Sequence, residues 1–308
     1  MKLFITTPVY FDVPSFRILR DRVRSVSIQS KIGTPEFLVI DDSGGNDTEI
    51  DSLRNDSDTR IINVPFNMGS QRAFVYSLRL LCKDIGPEDI VVTMDADGED
   101  QPEHIPALVE TLNNSTENNR VVLARRKRRR DPYWFKVGYV LFKWIFRGLI
   151  GTEISTGNFA AMRGHFVQTL LWHPHFDLVY AGGLVSVNTP KSFVPCERGP
   201  RYAGESKMTY LNLCMHAVRM LMPFLDRIAI RAALFSLILM FASSMILATN
   251  WIFPDFFSTL PKWLPLLAQA VWLGSGLLLL SSLTIFISFI HHQSALVRAL
   301  QRSFVPRV

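Results

Sequence analysis

Two stretches without a charged side chain constrain this chain more than any other feature. Residues 232–254 and 263–290 form runs of 23 and 28 residues free of Asp, Glu, Lys and Arg. At about 1.5 Å per residue, a helix over either run is longer than the roughly 30 Å hydrocarbon core of a bilayer. Helices inside soluble cores rarely stay uncharged for so long. The sequence therefore predicts two C-terminal transmembrane helices, about 232–253 and 264–290. Arg227 and Arg231 precede the first run, and Arg298, Arg302 and Arg307 follow the second. Only Asp255 and Lys262 lie between them. The positive-inside rule then places the N-terminal bulk and the C-terminal tail in the cytoplasm, as expected of an integral inner-membrane protein. Trp251, Trp263 and Trp272 stand near the span ends, in partial accord with an interfacial aromatic belt.

The rest of the chain is long enough for a substantial domain, residues 1–226, ahead of a membrane domain at 227–308. Met1-Lys2 leads into a short apolar run that Pro8 interrupts, so the N-terminus does not read as a signal peptide. Cys82, Cys196 and Cys214 are odd in number and unpatterned, and they are expected to be reduced bystanders.

Within residues 1–226, short apolar runs alternate with amphipathic stretches. Residues 3–6, 37–40, 61–64, 90–94 and 121–124 read as buried strands, and 15–28, 70–82 and 102–113 as helices. Pro102 suits a helix start, and Glu103 favours the positive end of its dipole. The alternation predicts an α/β fold with a mostly parallel sheet covered on both faces. In such sheets ligands bind outside the carboxyl ends of the strands. Three of those ends are acidic: Asp12 after the first, Asp41-Asp42 after the second, and Asp95-Ala96-Asp97-Gly98-Glu99-Asp100 after the fourth. Repelling carboxylates on one rim call for a cation, and a divalent metal bridging a polyphosphate suits them. An Asp-x-Asp pair is common in solvated loops, but it gains weight directly after an apolar strand. No Gly-x-Gly-x-x-Gly or Gly-Lys-Ser/Thr loop is present, which weighs against nicotinamide and P-loop chemistry.

In this order along the chain, the motifs resemble those of family 2 glycosyltransferases of the Rossmann-like GT-A fold. The likeness is to the membrane-anchored branch that includes polyprenyl-phosphate glycosyltransferases and dolichol-phosphate mannose synthase. It is carried by Pro8-Val9-Tyr10-Phe11-Asp12, Val39-Ile40-Asp41-Asp42-Ser43, Asn67-Met68-Gly69, the run Met94–Glu103, Gly157-Asn158-Phe159 and the run Glu197–Lys207. The resemblance implies that Pro8, Tyr10, Asp12, Asp42, Asn67, Asp95 and Ala96 contact the nucleotide-sugar. It implies that Asp95 and Asp97 hold Mg²⁺ or Mn²⁺ against the diphosphate, with Glu99 where the family often has Gln. Arg125 aligns with an arginine near the phosphates, and Arg201 and Lys207 fall near the acceptor or diphosphate. The catalytic set so implied is Asp95, Asp97, Asn158, Arg125, Arg201 and Lys207. The implied reaction is transfer, with inversion, from a nucleotide-sugar to a lipid-linked acceptor in cell-envelope polysaccharide synthesis.

Asn158 stands where related enzymes often carry Asp. A phosphate monoester, with a second pKa near 6, is already ionised and needs no general base, whereas a hydroxyl does. Asn158 therefore tilts the acceptor towards polyprenyl phosphate, unless Asp177, Glu197 or Glu205 supplies a carboxylate or Asn158 simply bonds a nearby turn. Transfer to a hydroxyl of a lipid, glycan or polysaccharide is the alternative. A non-catalytic sugar-nucleotide-binding scaffold is a third reading, against which the retained Asp-x-Asp argues.

Arg125–Arg130 is an unbroken basic run, and residues 133–150 beyond it carry only Lys136, Lys143 and Arg147 on an apolar, aromatic background. Segment 125–150 therefore reads as an interfacial amphipathic helix, its basic stripe facing anionic headgroups. The aromatic neighbours favour a lipid surface over nucleic acid. Residues 211–225 are a second candidate, equally readable as an ordinary packing helix. A homo-oligomer is compatible with the sequence. This segment also explains the formal charge of +6. Residues 125–147 hold nine basic residues and one acidic, while the rest of 1–226 holds 18 basic against 25 acidic. An acidic domain is joined to basic membrane-facing segments.

Overall fold

The computed structural model describes residues 1–117, 120–126, 147–148, 150–151, 156–203 and 210–304. Most of the predicted interfacial segment 125–150, and Lys207 and Glu205, lie outside them. The chain divides into two compact units: Met1–Gly138 with Ile154–Pro223, and Tyr139–Glu153 with Phe224–Val308.

The first unit is built on β1 (Leu3–Val9), β2 (Pro35–Asp41), β3 (Thr59–Asn63), β4 (Ile90–Thr93), β5 (Val121–Arg126), β6 (Thr156–Arg163) and β7 (Lys191–Cys196). They form one sheet in the order β3-β2-β1-β4-β6-β5-β7. Every pairing is parallel except those of β6, which runs antiparallel to both β4 and β5. This is the mostly parallel sheet that the strand spacing predicts, with helices between the strands. The five strands expected from apolar runs are all present. Strands β6 and β7 are additional. The first reads Thr-Gly-Asn-Phe-Ala-Ala-Met-Arg, without the β-branched run that marks a buried strand. The second is an edge strand carrying Pro195, which an edge tolerates because one side of its backbone is unpaired.

Strand residues are apolar on both faces because helices cover both. The two-residue period sorts them into two cores. Leu3, Ile5, Phe37, Val39, Ile90, Val92 and Val122 pack on one face with α1 (Val13–Ser30) and α3 (Ile105–Asn113). Their neighbours Phe4, Leu38, Ile40, Val91, Val121 and Leu123 pack on the other with α2 (Ser70–Leu81) and the short helices α4 (Gly164–Gln168), α5 (His175–Leu178) and α6 (Tyr180–Ser186). Helix α1 buries Val13, Phe16, Leu19, Val23 and Val26 at three- and four-residue spacing, the stripe expected of a helix lying on a sheet. It ends where Lys31 turns left-handed at φ 54°. Helix α7 (Tyr210–Leu221) covers most of the second interfacial candidate, 211–225, and its Met220 is buried against Val179 and Ala181, as in a packing helix.

The second unit contains α8 (Leu225–Ile252), α9 (Pro254–Ser258) and α10 (Trp263–Phe304). Helices α8 and α10 are long and apolar enough to cross a membrane, and most of each apolar stretch is exposed rather than packed inside protein. Their contact seam is built from small residues seven apart: Ala229, Ser236 and Ser243 on α8, and Ala268, Ser275 and Ser282, followed by Phe289, on α10. A strict seven-residue repeat keeps one stripe facing the partner helix, and small side chains let the backbones approach closely. The buried hydroxyls are satisfied within their own helices. Ser236 donates to the Ala232 carbonyl at 2.7 Å and Ser282 to that of Leu278 at 2.7 Å. Across the hairpin, Trp272 Nε1 donates to Ser244 Oγ at 3.1 Å.

Candidate functional site

The carboxyl ends of β1, β2 and β4 gather the predicted polar residues on one rim of the sheet. After β1, Pro8 is half-buried, Tyr10 and Phe11 are exposed, and their rings meet edge-to-face at 4.9 Å. Phe11 adopts φ 48°, a left-handed conformation costly for an aromatic residue. Asp12 then occupies the N-cap position of α1 without using its side chain there, which leaves the carboxylate available.

After β2, Asp41, Asp42 and Ser43 are all buried. Asp41 accepts the Ser43 N–H at 3.0 Å, and Asp42 Oδ1 accepts the Met68 N–H at 2.8 Å. Burial pushes the Asp42 carboxyl up, and the N–H groups of Met68 and Gly69 pull it back. Asp42 thus ties the loop after β2 to the Asn67-Met68-Gly69 turn that opens α2, in which Met68 is partly buried. Asn67 Oδ1 closes that turn on the Gly69 N–H at 3.2 Å.

At the end of β4 the strand period separates two sets of side chains. Met94 and Ala96 enter the core, so Ala96 can offer a ligand only its backbone, while Asp95 and Asp97 face the rim. Segment 197–202 is laid across this acidic loop. Asp100 bridges Arg198 in antiparallel fashion, the Gly199 N–H donates to the Glu99 carbonyl at 3.0 Å, and the Tyr202 N–H donates to the Asp97 carbonyl at 2.8 Å. The approach is closest at two glycines. A Cβ on Gly98, which has φ 90°, would sit 2.7 Å from the Tyr202 ring, and one on Gly199 would sit 2.6 Å from the Gly98 carbonyl oxygen. Helix α1 braces the arrangement from outside. Arg22 lies over the Tyr202 ring, donates to its hydroxyl at 2.9 Å and pairs with Glu103 at 2.5 Å.

Cations line the same rim. Arg201 pairs with Asp97 at 2.8 Å, and Arg198 pairs with Glu99. Arg126, with Ala124 and Phe159, lines the adjoining hollow and acts on Asp95, Asp97 and Asp100 through its charge. The neighbouring Arg125 lies instead over the Phe193 ring, 4.3 Å from its centroid. Successive strand residues point to opposite faces, so the arginine brought to the carboxylates is Arg126 rather than the expected Arg125.

These cations do not fully offset the burial of the acidic loop. Burial, then Asp97, pushes the Asp95 carboxyl up against the Asn158 amide and the arginines that pull it down. Burial raises Asp97 against Arg201 and Arg198, and burial with Asp95 pushes Asp100 up to about 7. Among the described residues no group of three or more His, Cys, Asp or Glu side chains is spaced to hold a metal ion. Asp95 and Asp97 nevertheless fit one that takes its remaining ligands from a substrate. They are hard oxygen donors on one rim, Asp97 exchanging its contact with Arg201, with coordination left over for phosphate oxygens. Glu99 is engaged by Arg198 and would have to leave it to join them.

Asn158, on β6, is buried with its amide wholly engaged. Its Nδ2 donates to both oxygens of Asp95, at 3.1 and 3.3 Å, and its Oδ1 accepts from Gln71 Nε2 at 2.5 Å. Its backbone carbonyl accepts from Thr93 Oγ1 at 2.6 Å. Asp177 is held by Arg79, within the α5 region. Arg126, Arg198, Tyr202 and Asp100 were named from sequence only within longer runs, without a role of their own, and Gln71 was not named at all. Strand alternation beside Arg125 could have found the first. Gln71 has no local signal, since its partners lie in distant segments.

The profile for Glycosyl transferase family 2 matches residues 5–167. An uncharacterized glycosyltransferase of Synechocystis sp. is 28% identical over 222 residues, 69% of this chain and 66% of that protein. The undecaprenyl-phosphate 4-deoxy-4-formamido-L-arabinose transferase of Pectobacterium atrosepticum is 27% identical over 217 residues, 68% of this chain and 63% of that protein. The chain thus spans a little under two thirds of the length of these curated relatives. The structure of glucosyl-3-phosphoglycerate synthase from Mycobacterium tuberculosis, solved with Mn²⁺ and UDP, aligns with a TM-score of 0.42 at 18% identity, over 73% of this chain and 79% of that one.

Proposed function

The chain belongs to glycosyl transferase family 2, and on that premise we propose that it transfers a sugar from a nucleotide-sugar donor to polyprenyl phosphate. The relative that acts on undecaprenyl phosphate supports this reading. So do two helices in the same chain that are long and apolar enough to cross a membrane. Arg227 and Arg231 before the hairpin and Arg298, Arg302 and Arg307 after it orient the catalytic unit to the cytoplasmic leaflet of the inner membrane.

The donor would lie along the rim, its base and ribose near Pro8, Tyr10, Asp12 and Asp42 and the Asn67 turn, and its diphosphate near Asp95 and Asp97. These two aspartates would hold Mg²⁺ or Mn²⁺, which neutralises charge building up on the departing nucleoside diphosphate. Arg126, Arg198 and Arg201 surround the same place, so leaving-group charge develops beside fixed cations. The acceptor oxygen attacks the anomeric carbon from the side opposite the leaving group, which inverts that centre.

One observation carries the choice of acceptor. The Asn158 amide is bonded to Asp95 on one side and Gln71 on the other, so the position offers no proton acceptor. Asp177 is likewise engaged, by Arg79. A phosphate acceptor, already ionised near neutral pH, needs neither.

The test is incubation of purified protein with radiolabelled nucleotide-sugars, Mn²⁺ and membrane lipid extract. A lipid product cleaved by mild acid to free sugar is expected. An acid-stable product would mean a hydroxyl acceptor. Asp97→Asn should abolish transfer without lowering the melting temperature, and full activity in that variant would sink the proposed metal site.

A further inference from the structure

The amide of Asn158 can face Asp95 in two ways, with its NH2 or with its oxygen, and only the first supports a carboxylate. What fixes the choice lies two residues further along a hydrogen-bond chain. Ala181 is in the first turn of α6, where backbone N–H groups have no partner inside the helix. Its N–H donates to Gln71 Oε1 at 3.0 Å. A backbone N–H can only donate, so the oxygen of Gln71 must face Ala181 and its NH2 must face Asn158. Asn158 must then turn its oxygen to Gln71 and its NH2 to Asp95. All three links are present, and each has a single permitted polarity.

We propose that Gln71 is a positioning residue for Asp95, acting through Asn158. The backbone of Asn158 is held separately by Thr93 Oγ1, which also lies 3.0 Å from the Tyr180 hydroxyl, so the side-chain amide is the part left for Gln71 to orient. Gln71 sits in the first turn of α2, directly after the Asn67-Met68-Gly69 turn bound to Asp42. The same helix start therefore serves both halves of the donor site, Asp42 through the Met68 N–H and Asp95 through the Gln71 side chain. Groups that orient a metal ligand from behind typically change metal affinity or activity by about 10- to 100-fold when removed. Gln71 belongs at the lower end of that range, since it acts through one intermediate.

The inference rests on Asp95 taking part in the metal–diphosphate site proposed above, and the measurement separates the two. The probe is Mn²⁺, titrated into the detergent-purified full chain with UDP or GDP, the free ion being followed by its paramagnetic resonance signal. Gln71→Met keeps the length of the side chain but neither hydrogen bond, and it should weaken nucleotide-dependent Mn²⁺ binding about tenfold. Asn158→Ala should weaken it at least as much. In the Asn158→Ala background, Gln71→Met should have no further effect, because its route to Asp95 is already cut. A role confined to holding α2 and α6 together would leave Mn²⁺ affinity unchanged, or would lower it equally in both backgrounds, and either result overturns the inference. If Gln71→Met does not fold, Gln71→Ser is read in the same cycle. A wild-type chain that binds no Mn²⁺ with either nucleotide overturns the underlying site instead.

Discussion

The two units bury opposite kinds of side chain. In the first unit the large residues Phe16, Phe37, Phe74 and Phe166 are fully buried, while charges hold the rim. In the hairpin the buried seam is Ala229, Ser236, Ser243, Ala268, Ser275 and Ser282, while Phe241 is 70% exposed and Leu277 67%. The difference follows from the solvent. Water drives large apolar side chains inward, at roughly 25 cal/mol per Å² removed from it. In the bilayer proposed for the hairpin, lipid tails would exert no such drive, so helices would associate through close backbone approach, which small residues serve best. A buried serine is therefore ordinary in one unit, whereas a buried Asp42 or Asn158 in the other is a departure that marks the site.

The comparison can be broken most severely in the aqueous core. Phe74 stacks on Tyr180 with ring centroids 5.1 Å apart, and both are fully buried. Phe74→Ala should destabilise the first unit by about 3–5 kcal/mol, read from urea unfolding followed by Trp172 fluorescence. A loss below about 1 kcal/mol would mean this core is not close-packed.

In the hairpin the sign of the size rule reverses. Ser275→Leu adds apolar bulk at a buried position, yet it should destabilise helix association by about 1–3 kcal/mol through overpacking. Leu277→Ala on the exposed face should change it by less than about 0.5 kcal/mol. Thermal unfolding in detergent micelles would compare the two, and stabilisation by Ser275→Leu would contradict the seam.

The smallest expected effect concerns the rim. Asp95, Asp97 and Asp100 have carboxyls raised above their ordinary values, Asp100 to about 7. The folded state then binds more protons than the unfolded one, so without metal their contribution to stability is full below about pH 4 and lost as pH rises towards 7. Asp100→Asn should flatten this fall, and Mn²⁺ with nucleoside diphosphate should offset it at pH 7.5. Melting temperatures between pH 5 and 8 would check both. A wild-type profile that rises with pH over that range would contradict the assignment.

Much of this was legible in the sequence, and the reasons differ element by element. Apolar runs gave β1–β5, because strands buried on both faces must be apolar throughout. Strand β6 escaped because Ala160 and Ala161 fill a tight sheet interior without a β-branched signature. Strand β7 escaped because its residues are edge residues. Arg125 was chosen over Arg126 by its place in the family resemblance, and a run of like residues hides the alternation that separates the two.

What the sequence determined by itself is whatever repeats locally: the two long apolar helices, the alternating strands, and the carboxylates that end them. Such patterns depend on helix and strand periods, which every residue shares with its neighbours. Only the tertiary structure decided that Arg198–Tyr202 would lie across Asp97–Asp100, and that Gln71, 87 residues before Asn158, would orient the amide facing Asp95. These contacts join segments with no common period. They exist because two packed cores fix the sheet, and the sheet brings its strand ends to one rim.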